Sequence, residues 1–198
     1  MANDARALST EAINELPNFL GTPETGDKYI IYDASAKQVK TIDALRTRRV
    51  IIPTCGNAKV GSTAGWVITG STNKCHATLP ASQTASTLVV PITGIPVGAT
   101  ITAVSCTGQV ESAGNNVTLT MDVRKLTTEA AGNVDASLGT DDVGTLTADT
   151  VLSSSNLAVT GLAETLAEGE TVYVLLTGTT AASTDIDLTG IIVNFKGY

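Results

Sequence analysis

Few side chains in this sequence can move a proton, attack carbon or hold a metal. The single histidine, His76, directly follows Cys75, and two further cysteines stand at Cys55 and Cys106. A catalytic thiol–imidazole pair has members distant in sequence and close in space. Adjacent residues of a strand point to opposite faces, so Cys75 and His76 do not share one site if this stretch is extended. Zinc asks for about four ligands at recognisable spacing. Cys55, Cys75, His76 and Cys106 form neither a CxxC nor an HxxxH pattern. The expected cofactor and metal complement is therefore none. Three cysteines in a chain made in the cytosol also predict reduced, buried thiols and no disulfide.

Other motifs point the same way. "GNAKVGSTAG" has glycines spaced a little like a phosphate loop, but it lacks the Gly-Lys-Ser/Thr ending and no strong helix follows. Glu129, Asp135, Asp141 and Asp142 lie in the aperiodic stretch "TTEAAGNVDASLGTDDVG". Their spacing is not that of a calcium loop, and the stretch reads as a long solvated surface loop. A glycoside hydrolase needs paired carboxylates, yet few carboxylates fall in the predicted strands and aromatics to line a sugar cleft make up 4% of the chain. Trp66, in "AGWVITG", sits on the strand face opposite Val67 and reads as a core or interface anchor rather than a sugar platform. The expectation is a protein that is not an enzyme.

The elements that carry these residues are nearly all strands. Hydrophobic residues make up 42% of 198, enough for one good-sized core, and they are mostly Val, Ile, Leu and Ala, which suit sheets. The net charge of −7 falls entirely after residue 50, since the first fifty residues balance. An acidic surface repels nucleic acid and anionic membranes, so neither is an expected partner. No segment approaches the roughly 20 apolar residues of a membrane span. "MANDARALSTEAINELP" lacks the apolar stretch of a secretory leader. Synthesis and use from the cytosol are expected, unless the chain leaves inside a particle.

Residues 1–49 predict a leader with a short helical turn stopped near Pro17. A hairpin of "KYIIYD" and "QVKTI" follows, then a second short helix capped by Thr41 with Ile42 and Leu45 on one face. So small a segment cannot hold a core alone. Residues 50–198 predict an antiparallel β-sandwich or jelly roll. The strands are "RVIIPT", "AGWVITG", "KCHATLP", "STLVVPI", "ATITAVSCTGQV", "NNVTLTMDVRKL", "GTLTADTVL", "LAVTG", "ETVYVLLTG" and "IDLTGIIVNFK". In "NNVTLTMDVRKL", Val117, Leu119, Met121 and Val123 share one face and Thr118, Thr120, Asp122 and Arg124 the other. Charge is low, at 16% of residues, where a monomer's outside usually carries more. With many Ala and Thr, this suggests sheet surfaces that face another subunit. Val, Leu and Ile of "TLVVPI" or "GIIVNF" are candidates for the centre of such a contact.

"LPNFLGTPETGDKYIIYDASAKQVKTIDALRT" resembles the N-terminal segment of many phage fibre and spike proteins. Leu16, Pro17, Asp27, Ile30, Ile31, Tyr32, Val39, Thr41 and Leu45 stand at the matching positions. "ITGIPVGATITAVSCTGQVESAGNNVTLTMDVRKL", "AEGETVYVLLTG" and "DIDLTGIIVNF" resemble β-sandwich tip domains of phage fibres and head decorations. The resemblance implies particle attachment through Leu16, Pro17, Asp27, Ile30, Ile31, Tyr32, Val39 and Leu45. It also implies a homotrimer on the outer surface of a virion, made in the host cytoplasm and bound to a major capsid or tail protein. A fibre or spike tip that holds a host cell-surface glycan is the alternative.

Overall fold

The computed structural model of the chain describes residues 28–33, 38–43, 47–71 and 74–197. Among the described residues there is no helix. The chain divides into two compact units, one ending at Arg46 and one covering Thr47–Lys196, three residues before the boundary read from the sequence.

In the first unit, β1 (Lys28–Asp33) and β2 (Gln38–Asp43) form the predicted antiparallel hairpin, with Lys28 opposite Asp43 and Tyr32 opposite Val39. The short helix expected from Thr41 is not there. Thr41 and Ile42 complete β2, where they meet Ile30 and Tyr29. A waiting partner strand and two β-branched residues outweigh a single capping signal. The helical turn expected before Pro17 lies outside the described residues.

The second unit is an antiparallel β-sandwich. Its strands are β3 (Arg48–Pro53), β4 (Lys59–Val60), β5 (Val67–Ser71), β6 (Lys74–Leu79), β7 (Ser86–Pro91), β8 (Thr100–Glu111), β9 (Val117–Glu129), β10 (Gly132–Leu146), β11 (Thr150–Leu152), β12 (Ala158–Thr165), β13 (Glu170–Thr179) and β14 (Asp185–Lys196). The small sheet runs β10-β9-β13-β7-β4. The large one runs β11-β8-β14-β6-β5, with β12 also on β8 and β3 also on β14. Alternation fills the space between them. Val117, Leu119, Met121 and Val123 are fully buried, as are Leu88, Val90, Val174, Leu176, Ile186, Leu188, Ile191 and Val193.

Two expectations are corrected. The stretch read as a surface loop, 127–144, is the end of β9, the turn Ala130–Ala131 and most of β10, paired from Glu129–Gly132 to Leu146–Val117. β10 is the edge of its sheet, so most of its side chains are solvated on both sides and its period-2 signal is blurred. "GTLTADTVL" is two strands, since β10 ends at Leu146 and β11 begins at Thr150.

One margin of the sandwich is closed by a strap. The chain leaves β3 in the large sheet, pairs β4 with β7 in the small sheet, then returns as β5 on β6. Trp66, a residue of the strap itself, is buried at 3% exposure, and its indole N–H donates to the Ser86 carbonyl at 3.0 Å. It is a core anchor, with Val67 turned outward as expected. The expectation of three free thiols fails at the strap's ends. Cys55 and Cys75 form a disulfide across 5.2 Å between Cα atoms, leaving only Cys106 free. The pairing depends on β3 and β6 sharing the edge of β14, which a cysteine count does not reveal.

Candidate functional site: a polar hollow where the large sheet forks

β14 offers one edge to two partners. Ile186–Leu188 pair with β6, and Gly190–Phe195 pair with β3. β8 does the same on the other side, pairing Gly108–Val110 with β11 and Thr100–Ser105 with β12. Both forks fall at one level, beside the irregularity between Leu188 and Gly190. A Cβ at Gly108 would stand 2.1 Å from the Asp187 carbonyl oxygen, so this close approach requires glycine. Thr54 closes the gap below β3, its amide donating to the Thr189 carbonyl at 3.2 Å and its hydroxyl to that of Leu188.

Above the fork lies an open hollow of about 610 Å³, lined in part by His76, Thr107, Gln109, Val151, Asp187 and Thr189. Register sets Val151, Gln109, Asp187, Thr78 and Val67 in one row across five strands. Their chain neighbours Leu152, Val110, Ile186 and Leu79 fill the core. The row is polar at its centre and apolar at its ends, where Val151 is 73% and Val67 53% exposed. Asp187 Oδ1 accepts the Thr78 hydroxyl at 2.5 Å and lies 3.4 Å from His76 Nε2.

Acidic groups crowd together two residues before Asp187 on β14. Asp185 lies opposite Glu111, and its neighbours include Asp149 and Asp187. Burial first, then repulsion from Glu111, Asp187 and Asp149, pushes the Asp185 carboxyl up from its ordinary range. Its Oδ1 has no hydrogen-bond partner. Gln109 donates to Glu111 Oε1 at 3.2 Å, and Asp149 Oδ1 accepts the Ser112 amide at 2.9 Å. Among the described residues no cluster is arranged to hold a metal ion.

The outward face of the small sheet is built differently. Arg124 donates through Nη1 to Asp122 at 2.6 Å and through Nε and Nη2 to Asp135 at 3.1–3.2 Å. The Tyr173 hydroxyl donates to Asp135 at 2.9 Å, and that of Ser137 to Asp122 at 2.5 Å. The guanidinium bonds hold the Asp135 carboxyl below its ordinary range. Beside this network Val89, Pro91, Leu126 and Tyr173 border an apolar depression of about 470 Å³. At another point Lys125 reaches across the sandwich, with Nζ 2.6 Å from Glu164 on β12 and 2.9 Å from Glu170 on β13.

Of the attachment residues named from the sequence, Ile30, Ile31, Tyr32 and Val39 come together in the β1–β2 hairpin. Leu16, Pro17, Asp27 and Leu45 lie outside the described residues. The hollow was not found from the sequence, because its residues come from β6, β8, β11 and β14. The one available signal is "DIDLTG", where Asp185 and Asp187 alternate with Ile186 and Leu188 and so mark a solvated face.

No protein-family model matches the chain, and no curated protein matches its sequence. Solved structures similar to it include the CBM36-1 domain of a multidomain xylanase from the hindgut metagenome of Trinervitermes trinervoides. That match has a TM-score of 0.41 and 7% identity, over 74% of this chain and 96% of the other. The enzymatically active domain of tailspike protein 4 of bacteriophage CBA120 matches with a TM-score of 0.32 and 11% identity, over 78% of this chain and 19% of the other. Infectious bursal disease virus, Gt strain, matches with a TM-score of 0.31 and 16% identity, over 91% and 39%. None reaches a TM-score of 0.5, so these likenesses carry no family, ligand or activity over to this chain.

Proposed function

We propose that the chain is a structural subunit of a bacteriophage virion, a capsid decoration or short fibre without catalytic role. Its N-terminal hairpin segment attaches it to a major capsid or tail protein, and its sandwich faces outward as part of a homotrimer. The observation that carries this reading is the division at Arg46 into a hairpin unit and a closed sandwich. A two-stranded hairpin is marginal by itself and gains stability by docking on something larger. The resemblance of residues 16–47 to fibre attachment segments supports the same division of labour. The trimer contact is assigned to the outward face of the small sheet. In "TLVVPI" and "GIIVNF", Leu88, Val90, Ile191 and Val193 are spent on the core, while Val89 and Pro91 remain half-buried beside Tyr173 and Leu126.

A chain starting at Thr47 is expected to fold and to remain trimeric by light scattering, but not to bind purified particles. A stable monomer of this shortened chain at micromolar concentration would overturn the trimer, and normal particle binding would overturn the anchor.

The hollow favours a second reading, a fibre tip that holds a host cell-surface glycan. Gln109, Asp187 and the threonines offer donors and acceptors to hydroxyl groups, and Val151 offers an apolar surface to a sugar ring. On this reading Asp187→Asn and Gln109→Ala abolish adsorption to host cells while leaving assembly intact. Unchanged adsorption by both variants would discard it.

A further inference from the structure

The disulfide stands at a place where backbone pairing is missing. β6 meets β14 only through Ala77, Thr78 and Leu79. The next stretch of that edge belongs to Thr54 and β3. Cys75, at the start of β6, therefore lies beside Cys55, just past the end of β3, and the covalent bond spans the fork in place of a ladder. The bond also joins the two ends of the strap. Between the cysteines, 20 positions apart, lie β4, Trp66 and β5. Apart from Trp66, the strap is fastened to β7 by the short β4 pairing, the Gly61 amide to the Thr87 carbonyl at 2.8 Å, the Thr87 amide to the Thr63 carbonyl at 2.9 Å, the Thr63 amide to the Thr87 hydroxyl at 3.1 Å and the Ser86 hydroxyl to the Ala64 carbonyl at 3.0 Å.

Access to the three sulfurs is unequal. Cys75 is exposed and Cys55 half-buried, whereas Cys106 is fully buried. Burial pushes the Cys106 thiol up to about 12, so it supplies no thiolate to attack its neighbours.

We propose that the Cys55–Cys75 bond is installed after synthesis, by exchange with a low-molecular-weight disulfide, and that it locks in place the strap that carries Trp66. The Cys75 thiolate attacks one sulfur of the small disulfide, forming a mixed disulfide and releasing one small thiol. The Cys55 thiolate then attacks the Cys75 sulfur and releases the second. The protein loses two hydrogens and is oxidised, and the small disulfide is reduced to two thiols. Before the bond forms, the strap is held by its hydrogen bonds to β7, the β5–β6 pairing and the burial of Trp66. Outside the cell it is closed covalently, and Cys75 holds one wall of the hollow in place. That the bond closes outside the cell rests on the virion reading; that it forms by exchange and locks the strap does not.

The test begins with full-length protein purified under reduction and then exposed to oxidised glutathione. The expected result is a mass lower by two hydrogens, with one thiol of three left to alkylate in denaturant, at Cys106. Hydrogen exchange at the Gly61 and Thr87 amides should slow by roughly 30-fold on oxidation, the lower end of what closing such a loop supplies. Trp66 fluorescence should report the same closing. Three alkylatable thiols after oxidation would overturn the bond. Equal exchange in the oxidised and reduced wild type would overturn the lock. Cys106→Ser should retain the whole response, and loss of it there would implicate the buried thiol instead.

Discussion

The outward faces of the two sheets show what the same alternation can be used for. On the small sheet, polar side chains are spent on one another. Arg124 is shared between Asp122 and Asp135, and Tyr173 and Ser137 each donate to one of those acids. On the large sheet they are left over. Asp185 Oδ1 has no partner, Asp187 has spare acceptor capacity, and Glu111 and Asp149 add charge of the same sign. A satisfied network gives a flat, rigid surface suited to a fixed protein contact. An unsatisfied one leaves charge and acceptors without a partner, at a cost in stability.

The strongest way to break the comparison is at the fork. Gly108→Ala places its Cβ against the backbone of Asp187 and Leu188, which cannot give without parting β8 from β14. A loss of about 3 kcal/mol is expected by urea unfolding. Gly139→Ala, where the Cβ would instead meet the Val159 Cγ1 side-chain atom at 2.7 Å, should cost about 1 kcal/mol. Equal losses would deny that the fork is built on a close approach.

Next in size is Arg124→Met on the small sheet. It leaves Asp122 and Asp135 facing each other without their cation. With Asp135 41% exposed and screened, the expected loss is about 1.5 kcal/mol at pH 7. The folded Asp135 carboxyl titrates below its ordinary 3.8. Its contribution is therefore present above that value and is lost as pH falls through the lower folded one. The gap between variant and wild type should close in acid. A gap that persists at pH 2 would mean that packing of the Arg124 stem, not its charge, holds this face.

The smallest effect has the opposite sign. Asp185→Asn is expected to stabilise the protein at pH 7 by on the order of 0.5–1 kcal/mol, because it removes a charge that is disfavoured by burial and then by its acidic neighbours. Asp185 titrates above its ordinary 3.8 when folded. The wild type carries the penalty above that raised value and sheds it as pH falls through it, so the gain should vanish in acid. A loss of stability at pH 7 would show that the charged carboxylate is held by a partner after all.

Much of the fold was legible because β alternation is a local property. In "NNVTLTMDVRKL", each second residue is apolar, and those residues are the ones that fill the core. Trp66 opposite Val67 follows from the same period of two, whereas Cys75 and His76, expected not to share a site, both line the hollow at the fork. The alternation fades where a strand is not flanked on both sides. Edge strand β10 has the pattern of a loop, and Thr41–Asp43 that of a helix start, because the partner strand β1 that makes them extended lies outside any local window.

By itself, then, the sequence determined most of the strands flanked on both sides, which of their faces meet the core, and the low overall charge. Only the tertiary structure decided which strands are neighbours. That choice brings Cys55 to Cys75, aligns Gln109 with Asp187 and Thr78, and lets Lys125 reach Glu164 in the opposite sheet. The physical reason is range. Strand formation depends on residues two apart, whereas pairing depends on which of many apolar faces and edges fit together. Partners are selected by registers and crossings summed over the whole chain, which no local window contains.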